Sequence, residues 1–346
     1  MVSLSSHAAP RSPFSFVGRA GRAARALTTV ASALALAVGV LTLAPAPAHA
    51  DGAVPSQEYF SYYHFDTARA KGYTGKGVTI AVIDGPVDTS NPALKGANIT
   101  DKSRCTIQDS PEGIRHGTDM AIILVSPITG VAPDATLYTY QSSTSTTTSN
   151  GSCDSNGDRL NTIAALINQA VEDGAQIISV SQTVSESSNE LKWAVTNAIT
   201  KKWAITNAIT KGVIIVAAAG NEALPDDITT LGRYSGVVGV SAINSDGTFA
   251  SYSSWGDGVV TAAFGAPYNT FDVNTGEPIT VQGTSISTPL VAGMLALVAG
   301  MLALARQKWP DATANQILQL LVHTGLNPNH DWNKYTGYGA AALGSL

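Results

Sequence analysis

Beyond its first fifty residues the chain alternates short, almost continuous apolar runs with longer helical stretches. Val78–Ile83, Leu137–Tyr140, Ile177–Val180, Val213–Ala219 and Val237–Ser241 are rich in Val, Ile and Ala and read as strands. Their apolar positions are nearly continuous, which predicts strands covered on both faces, the pattern of a parallel sheet. Between them, about Gly117–Val125, Arg159–Asp173, Ser188–Thr210, Ser287–Gln307 and Ala312–Val322 read as helices. The alternation predicts an α/β class: a doubly wound, mostly parallel sheet with helices on both faces, in a single domain. The Ser/Thr/Asn/Gly-rich stretch Gln141–Asp158 reads as a long surface loop, because a helix follows it at once.

The first fifty residues follow another pattern. Arg11, Arg19, Arg22 and Arg25 precede the apolar run Leu27–Ala44, and Ala48-His49-Ala50 supplies a small-residue cleavage site. This predicts a secretory signal peptide, and a secreted, extracellular product, with a retained anchor as the alternative. Loss of those four arginines takes the formal charge from −5 to −9, a balance that disfavours nucleic acid and anionic membrane as partners. The chain has two cysteines, Cys105 and Cys153. In an exported protein such a pair is expected to bridge, with two unpaired thiols as the alternative. A bridge would close a loop worth roughly 4 kcal/mol in the chain-entropy model.

In a doubly wound sheet, chemistry collects where strands end and helices begin. Asp84 follows the apolar run "VTIAVI"; His116, in "RHGTDMAIIL", stands just before an apolar helix; Ser285, in "QGTSISTP", opens another. Gly117 behind the histidine permits close backbone approach. The free N–H groups at a helix start favour a developing negative charge. A serine hydroxyl becomes nucleophilic when a neutral imidazole takes its proton, and a carboxylate holds that imidazole in the right tautomer. Singly, the Asp reads as a turn residue and the Ser as an N-cap; the case rests on the three together.

Those residues lie in segments that resemble the subtilases, the subtilisin-like serine peptidases. "TGKGVTIAVIDGPVD", "HGTDMA" with "GVAPDATLY", "GVIIVAAAGNEA", "SYSSWG", "GAP" and "GTSISTPLVAG" occur in that family's order, and "TGYGAAAL" resembles its closing segment. The resemblance implies peptide-bond hydrolysis through an acyl-enzyme, with Ser285 as nucleophile, His116 as general base and then acid, and Asp84 orienting the imidazole. It makes Asn221 and the Ser285 N–H the oxyanion hole, a plain turn being the alternative for Asn221. It places Ser179, Val180, Ser181, Gln182, Ala218, Ala219 and Gly220 along a polypeptide-binding channel. No cofactor is required; structural calcium is common in the family, with no site assigned here. "DSNGD" at Asp154–Asp158 lacks the glycine and closing glutamate of a calcium loop and reads as an exposed loop. The mature protein is expected to act as a monomer.

Several positions depart from the family. Gly85-Pro86 follow the aspartate where Thr-Gly is usual, which removes a hydroxyl that could support the carboxylate. Asp119 stands where a histidine is usual, bringing a carboxylate near His116 that would raise its pKa. Thr183 and Val184 stand where glycines usually border the first specificity pocket. "KWAVTNAIT" at Lys192–Thr200 returns as "KWAITNAIT" at Lys202–Thr210, and "LVAGMLA" at Leu290–Ala296 returns at Leu297–Ala303. A seven-residue copy keeps helical phase to within ~20°, whereas a ten-residue copy rotates the face by ~80° and is expected to bulge. Uncharged Leu290–Ala305 falls short of the ~20 residues of a membrane span. The expected organisation is a signal peptide (1–50), a segment too short for a folded prodomain (51–73) and a peptidase domain (74–346) carrying both duplications. The alternative to an active endopeptidase is a pseudoenzyme or peptide-binding domain disabled by the repeats. A membrane-associated protease resembling the mycosins would need a C-terminal span.

Overall fold

The β-branched run Thr79–Asp84 forms β1, and alternate side chains serve two opposite cores: Ile80 and Val82 face one, Ala81 and Ile83 the other. The computed structural model describes residues 55–142, 153–155, 158–182, 212–226, 230–234, 236–305 and 314–342. Within that range β2 (Ile99–Asp101), β3 (Thr136–Gln141), β6 (Ile177–Val180), β7 (Ile214–Ala218), β8 (Val237–Asn244) and β9 (Val259–Ala266) join β1 in one sheet. The order is β2-β3-β1-β6-β7-β8-β9 and every pairing is parallel. The sheet is the doubly wound, parallel one expected; β2 and β9 are additions. Two short antiparallel pairs complete the strands: β4 (Asp154–Ser155) with β5 (Asp158–Arg159), and β10 (Tyr268–Phe271) with β11 (Pro278–Val281). The stretch read as a long loop therefore contains the β4–β5 hairpin.

Helix α3 spans Pro111–Val125 and begins six residues before the apolar signal suggested. Ser110 caps it, its Oγ accepting from the Gly113 N–H at 3.1 Å, and Pro111 takes the first turn. Capping chemistry, not hydrophobic period, sets this start. As a correction, His116 lies inside α3 and not ahead of it. Helix α4 (Ile163–Glu172), capped by Thr162, covers the opposite face, and the sheet face under α3 is shared with α5 (Thr284–Ala305); α6 (Ala314–Thr324) follows.

The seven-residue copy continues α5 as one helix of 22 residues. Leu290, Val291, Leu295 and Leu297 are buried in the same core, so the face runs unbroken from the first copy into the second. Among the described residues no helix is long and apolar enough to cross a membrane. The signal-peptide region, the ten-residue copy with its helix at Ser188–Thr210, and Thr183 and Val184 lie outside the described residues.

Two helices were not apparent from the sequence: α1 (Glu58–Tyr62) and α2 (Phe65–Ala70). They are built into the core. The Tyr59 ring lies 6.4 Å from each of Phe65, Phe264 and Tyr268, and its hydroxyl donates to the Thr129 carbonyl at 3.0 Å. Arg69 stacks on Phe60 and donates to the carbonyls of Ser126, Pro127, Ile128 and Gly130 just past the end of α3. Tyr59→Ala should therefore cost about 3–5 kcal/mol in guanidinium denaturation, the scale of deleting a buried aromatic. An effect below 1 kcal/mol would show that this segment is not part of the cooperative core.

Cys105 and Cys153 are bonded, with Cα atoms 5.6 Å apart and a sequence separation of 48. The bond ties the segment after β2 to the β4–β5 hairpin. Cys153→Ser should lower stability by roughly 4 kcal/mol. Wild-type protein measured with reductant should unfold at the same denaturant midpoint as the variant.

Candidate active site

Asp84 ends β1 and is 1% exposed. A carboxylate is tolerated there because its partners converge on one oxygen. Oδ1 accepts from the Gly85 N–H at 2.8 Å and meets His116 Nδ1 at 2.7 Å. Nδ1 facing an acceptor fixes the proton on that nitrogen and leaves the Nε2 lone pair free to act as a base. Asp84 Oδ2 is buried with no hydrogen-bond partner among the described residues, which matches the loss of a hydroxyl at Gly85-Pro86. A Cβ at Gly117 would fall 2.5 Å from the Gly85 carbonyl and 2.7 Å from that of Pro86. Glycine is thus required for α3 to bring His116 onto the end of β1.

The His116 side chain keeps 32% of its surface. Burial opposes its positive form, yet the charge and hydrogen bond of Asp84, with the charge of Asp119, outweigh both burial and the repulsion of Arg115. Its pKa is raised above 6.5. The direction expected for a carboxylate at position 119 is the one found.

The second half of the site is built on α5. Ser285 is its second residue, where the N–H has no intrahelical acceptor. Thr284 holds Asn221, just beyond β7: its N–H donates to Asn221 Oδ1 at 2.8 Å and its hydroxyl to the same oxygen at 3.1 Å. The Thr284 hydroxyl also accepts from the Gly220 N–H at 3.1 Å. With Oδ1 occupied, Asn221 Nδ2 is the free end of the carboxamide. It faces Gly283: a Cβ there would stand 3.4 Å from Nδ2 and 2.9 Å from Ser285 Oγ. Ser287 anchors the same helical turn to β9 through the carbonyls of Ala263 and Phe264. Ser285, 9% exposed, makes no hydrogen bond through Oγ among the described residues. The structure thus joins His116 to Asp84, and Asn221 to the Ser285 turn. Both groups stand at the carboxyl edge of the sheet, since α5 packs against α3, β1 and β7. Thr284 was missed as a positioning residue, although "GTS" placed its hydroxyl beside the serine.

Ser179 and Val180 end β6, Ser181 and Gln182 follow it, and Ala218, Ala219 and Gly220 end and follow the neighbouring β7. Gln182 accepts from the Ser142 hydroxyl. The N–H of Ala219 bonds the Val240 carbonyl, and the Gly220 carbonyl accepts from the Ser254 N–H. Those groups, with the Gly220 N–H on Thr284, are committed within the fold and are not free to pair with another chain.

Comparison with known proteins agrees with this architecture. The family model described as "Subtilase family" matches residues 75–339. Subtilisin DY of Bacillus licheniformis is 29% identical over 76% of this chain and 88% of its own length. Subtilisin E of Bacillus subtilis (strain 168) is 31% identical over 66% of this chain, but the match spans only 57% of that protein. Among solved structures, the prenylagaramide maturation protease PagA superposes with a TM-score of 0.60 at 24% identity, over 80% of this chain and 94% of its own; that likeness bears on the fold alone. A parallel seven-stranded sheet, a buried carboxylate on an imidazole at its edge, and a family match across most of the chain lead to one conclusion: the protein belongs to the subtilase family of serine peptidases.

Proposed function

We propose that the protein is a secreted endopeptidase that cleaves polypeptides through an acyl-enzyme on Ser285. The observation that carries this reading is the 2.7 Å contact between Asp84 and His116 Nδ1, which leaves Nε2 basic at the sheet edge where Ser285 opens α5. In this mechanism Nε2 takes the Ser285 hydroxyl proton as Oγ attacks the scissile carbonyl carbon, and Asp84 steadies the imidazolium. Asn221 Nδ2 and the Ser285 N–H donate to the oxyanion. Imidazolium then protonates the leaving amine. Water, deprotonated by His116, hydrolyses the ester and returns the Ser285 proton. Ser179–Gln182 and Ala218–Gly220 would flank the extended substrate. Secretion rests on the N-terminal pattern of arginines, apolar run and small-residue site, and a monomer is the working state assigned to it.

Intact-mass analysis after fluorophosphonate treatment tests the nucleophile. One adduct is expected on wild type and none on Ser285→Ala. A folded wild type that takes no adduct would shift the reading to a subtilase-fold binding domain. Internal cleavage of an unfolded polypeptide, read from product masses, separates endopeptidase from terminal trimming.

A further inference from the structure

Helix α3 carries a second buried carboxylate one turn beyond His116. Asp119 keeps 6% of its side-chain surface and is held from two sides. Arg115 donates to its Oδ2 at 2.7 Å from the preceding turn. The hydroxyls of Thr270 and Tyr268, both on β10, donate to Oδ1 at 3.0 and 3.3 Å. That hairpin is fixed in turn by the N-terminal segment. The Gln57 carboxamide bonds both backbone groups of Asn269, at 2.7 and 3.1 Å, and the Tyr59 ring stacks on Tyr268. Three donors thus converge on a charge that takes no part in the proposed acyl-transfer steps.

Residues three apart on a helix are neighbours, so the Asp119 charge stands beside the imidazole while Arg115 offsets it. We propose that the Arg115–Asp119 pair, clamped by Thr270 and Tyr268, is a positioning site for the reaction: it sets the electrostatic environment in which His116 exchanges its proton. The inference rests on His116 being the general base. Asp119 favours the imidazolium that forms as Ser285 attacks, and Arg115 opposes it. The groups that face this pair are His116, itself held by Asp84, on one side, Tyr268, Thr270 and Tyr59 on the other, and the half-buried Asp272, whose field reaches Arg115. Burial raises the Asp119 pKa itself, against the pull of Arg115 and the Thr270 hydroxyl.

Opposite charge removals must act in opposite directions. The measurement is the second-order rate of fluorophosphonate labelling of the whole protein across pH, with thermal midpoints as a fold check. The base must be neutral to act, so labelling rises as pH passes the His116 pKa. Asp119→Asn deletes the anion and leaves Arg115 unopposed; the acidic limb should move to lower pH by about half a unit or more. Arg115→Gln removes the cation, and with Asp119 kept ionised by the Thr270 and Tyr268 hydroxyls the limb should move to higher pH. Thr270→Val removes a hydroxyl that helps hold Asp119 ionised; it should shift the limb in the Asp119→Asn direction by less, and serves if Asp119→Asn does not fold. A purely structural role would lower rates without parting the limbs. Limbs that stay with wild type, or that move the same way in both charge variants, would overturn the inference. A wild type that takes no label at any pH would instead overturn the reading of His116 and Ser285, and this inference with it.

Discussion

Ser285→Ala should lower peptide hydrolysis by about 10⁴- to 10⁶-fold, with substrate affinity nearly unchanged. The size follows from the role proposed for the hydroxyl. Without Oγ there is no acyl-enzyme, and the imidazole held by Asp84 at 2.7 Å has no alcohol to deprotonate. What remains is substrate positioning and the oxyanion donors, which accelerate attack by water only weakly. Steady-state kinetics on a chromogenic peptide, with enzyme titrated by active-site labelling, would measure it. Residual activity above a few per cent in a preparation free of wild type would mean that another group makes the bond-breaking attack. His116→Ala should fall as far as the serine variant, and the double variant no further, because in the proposed mechanism the two side chains perform one step.

Asn221→Ala should reduce kcat by ~10²–10³ while changing KM little, because in the proposed mechanism its Nδ2 donates to a charge that exists only after attack. Thr284 occupies the carboxamide oxygen twice, so the amide does not need to turn when the oxyanion forms. The same geometry makes Gly283→Ala informative. Its new methyl would stand 2.9 Å from Ser285 Oγ and 3.4 Å from Asn221 Nδ2, in the space that an oxyanion between those groups would use. Gly283→Ala should therefore lose activity on the Asn221→Ala scale without deleting any donor. An Asn221→Ala protein that loses only KM would place the carboxamide in ground-state binding and remove it from the oxyanion hole.

Both predictions concern residues visible in the sequence, and the reason is local. Asp84 after "VTIAVI" and Ser285 within "GTSISTP" sit at junctions that a run of apolar residues makes obvious. The start of α3 was less visible, because Ser110 and Pro111 begin it by capping six residues before any apolar face appears. The segment 55–73 was invisible as structure. Its helices are only five and six residues long, too short to carry a periodic signal, and they are helical because Tyr59, Tyr63 and Phe65 are buried against the rest of the chain.

The seven-residue repeat shows the same division. Its length, close to two helical turns, was enough to expect an unbroken face, and α5 continues through it. Whether its side chains would find partners depended on the neighbouring strands, which accept Leu297 and Val298 into buried positions.

By itself the sequence determined the α/β class, the family and the candidate residues Asp84, His116 and Ser285, because each is written in short-range pattern: apolar runs, glycines and hydroxyls at helix starts. Only the tertiary structure decided how those residues are held. The Thr284 grip on Asn221, the fit of Gly117 against Gly85, and the convergence of Arg115, Tyr268 and Thr270 on Asp119 join residues that lie four to more than 150 positions apart. Hydrogen bonds and close contacts of that kind depend on distance in space, which residue spacing along the chain does not encode.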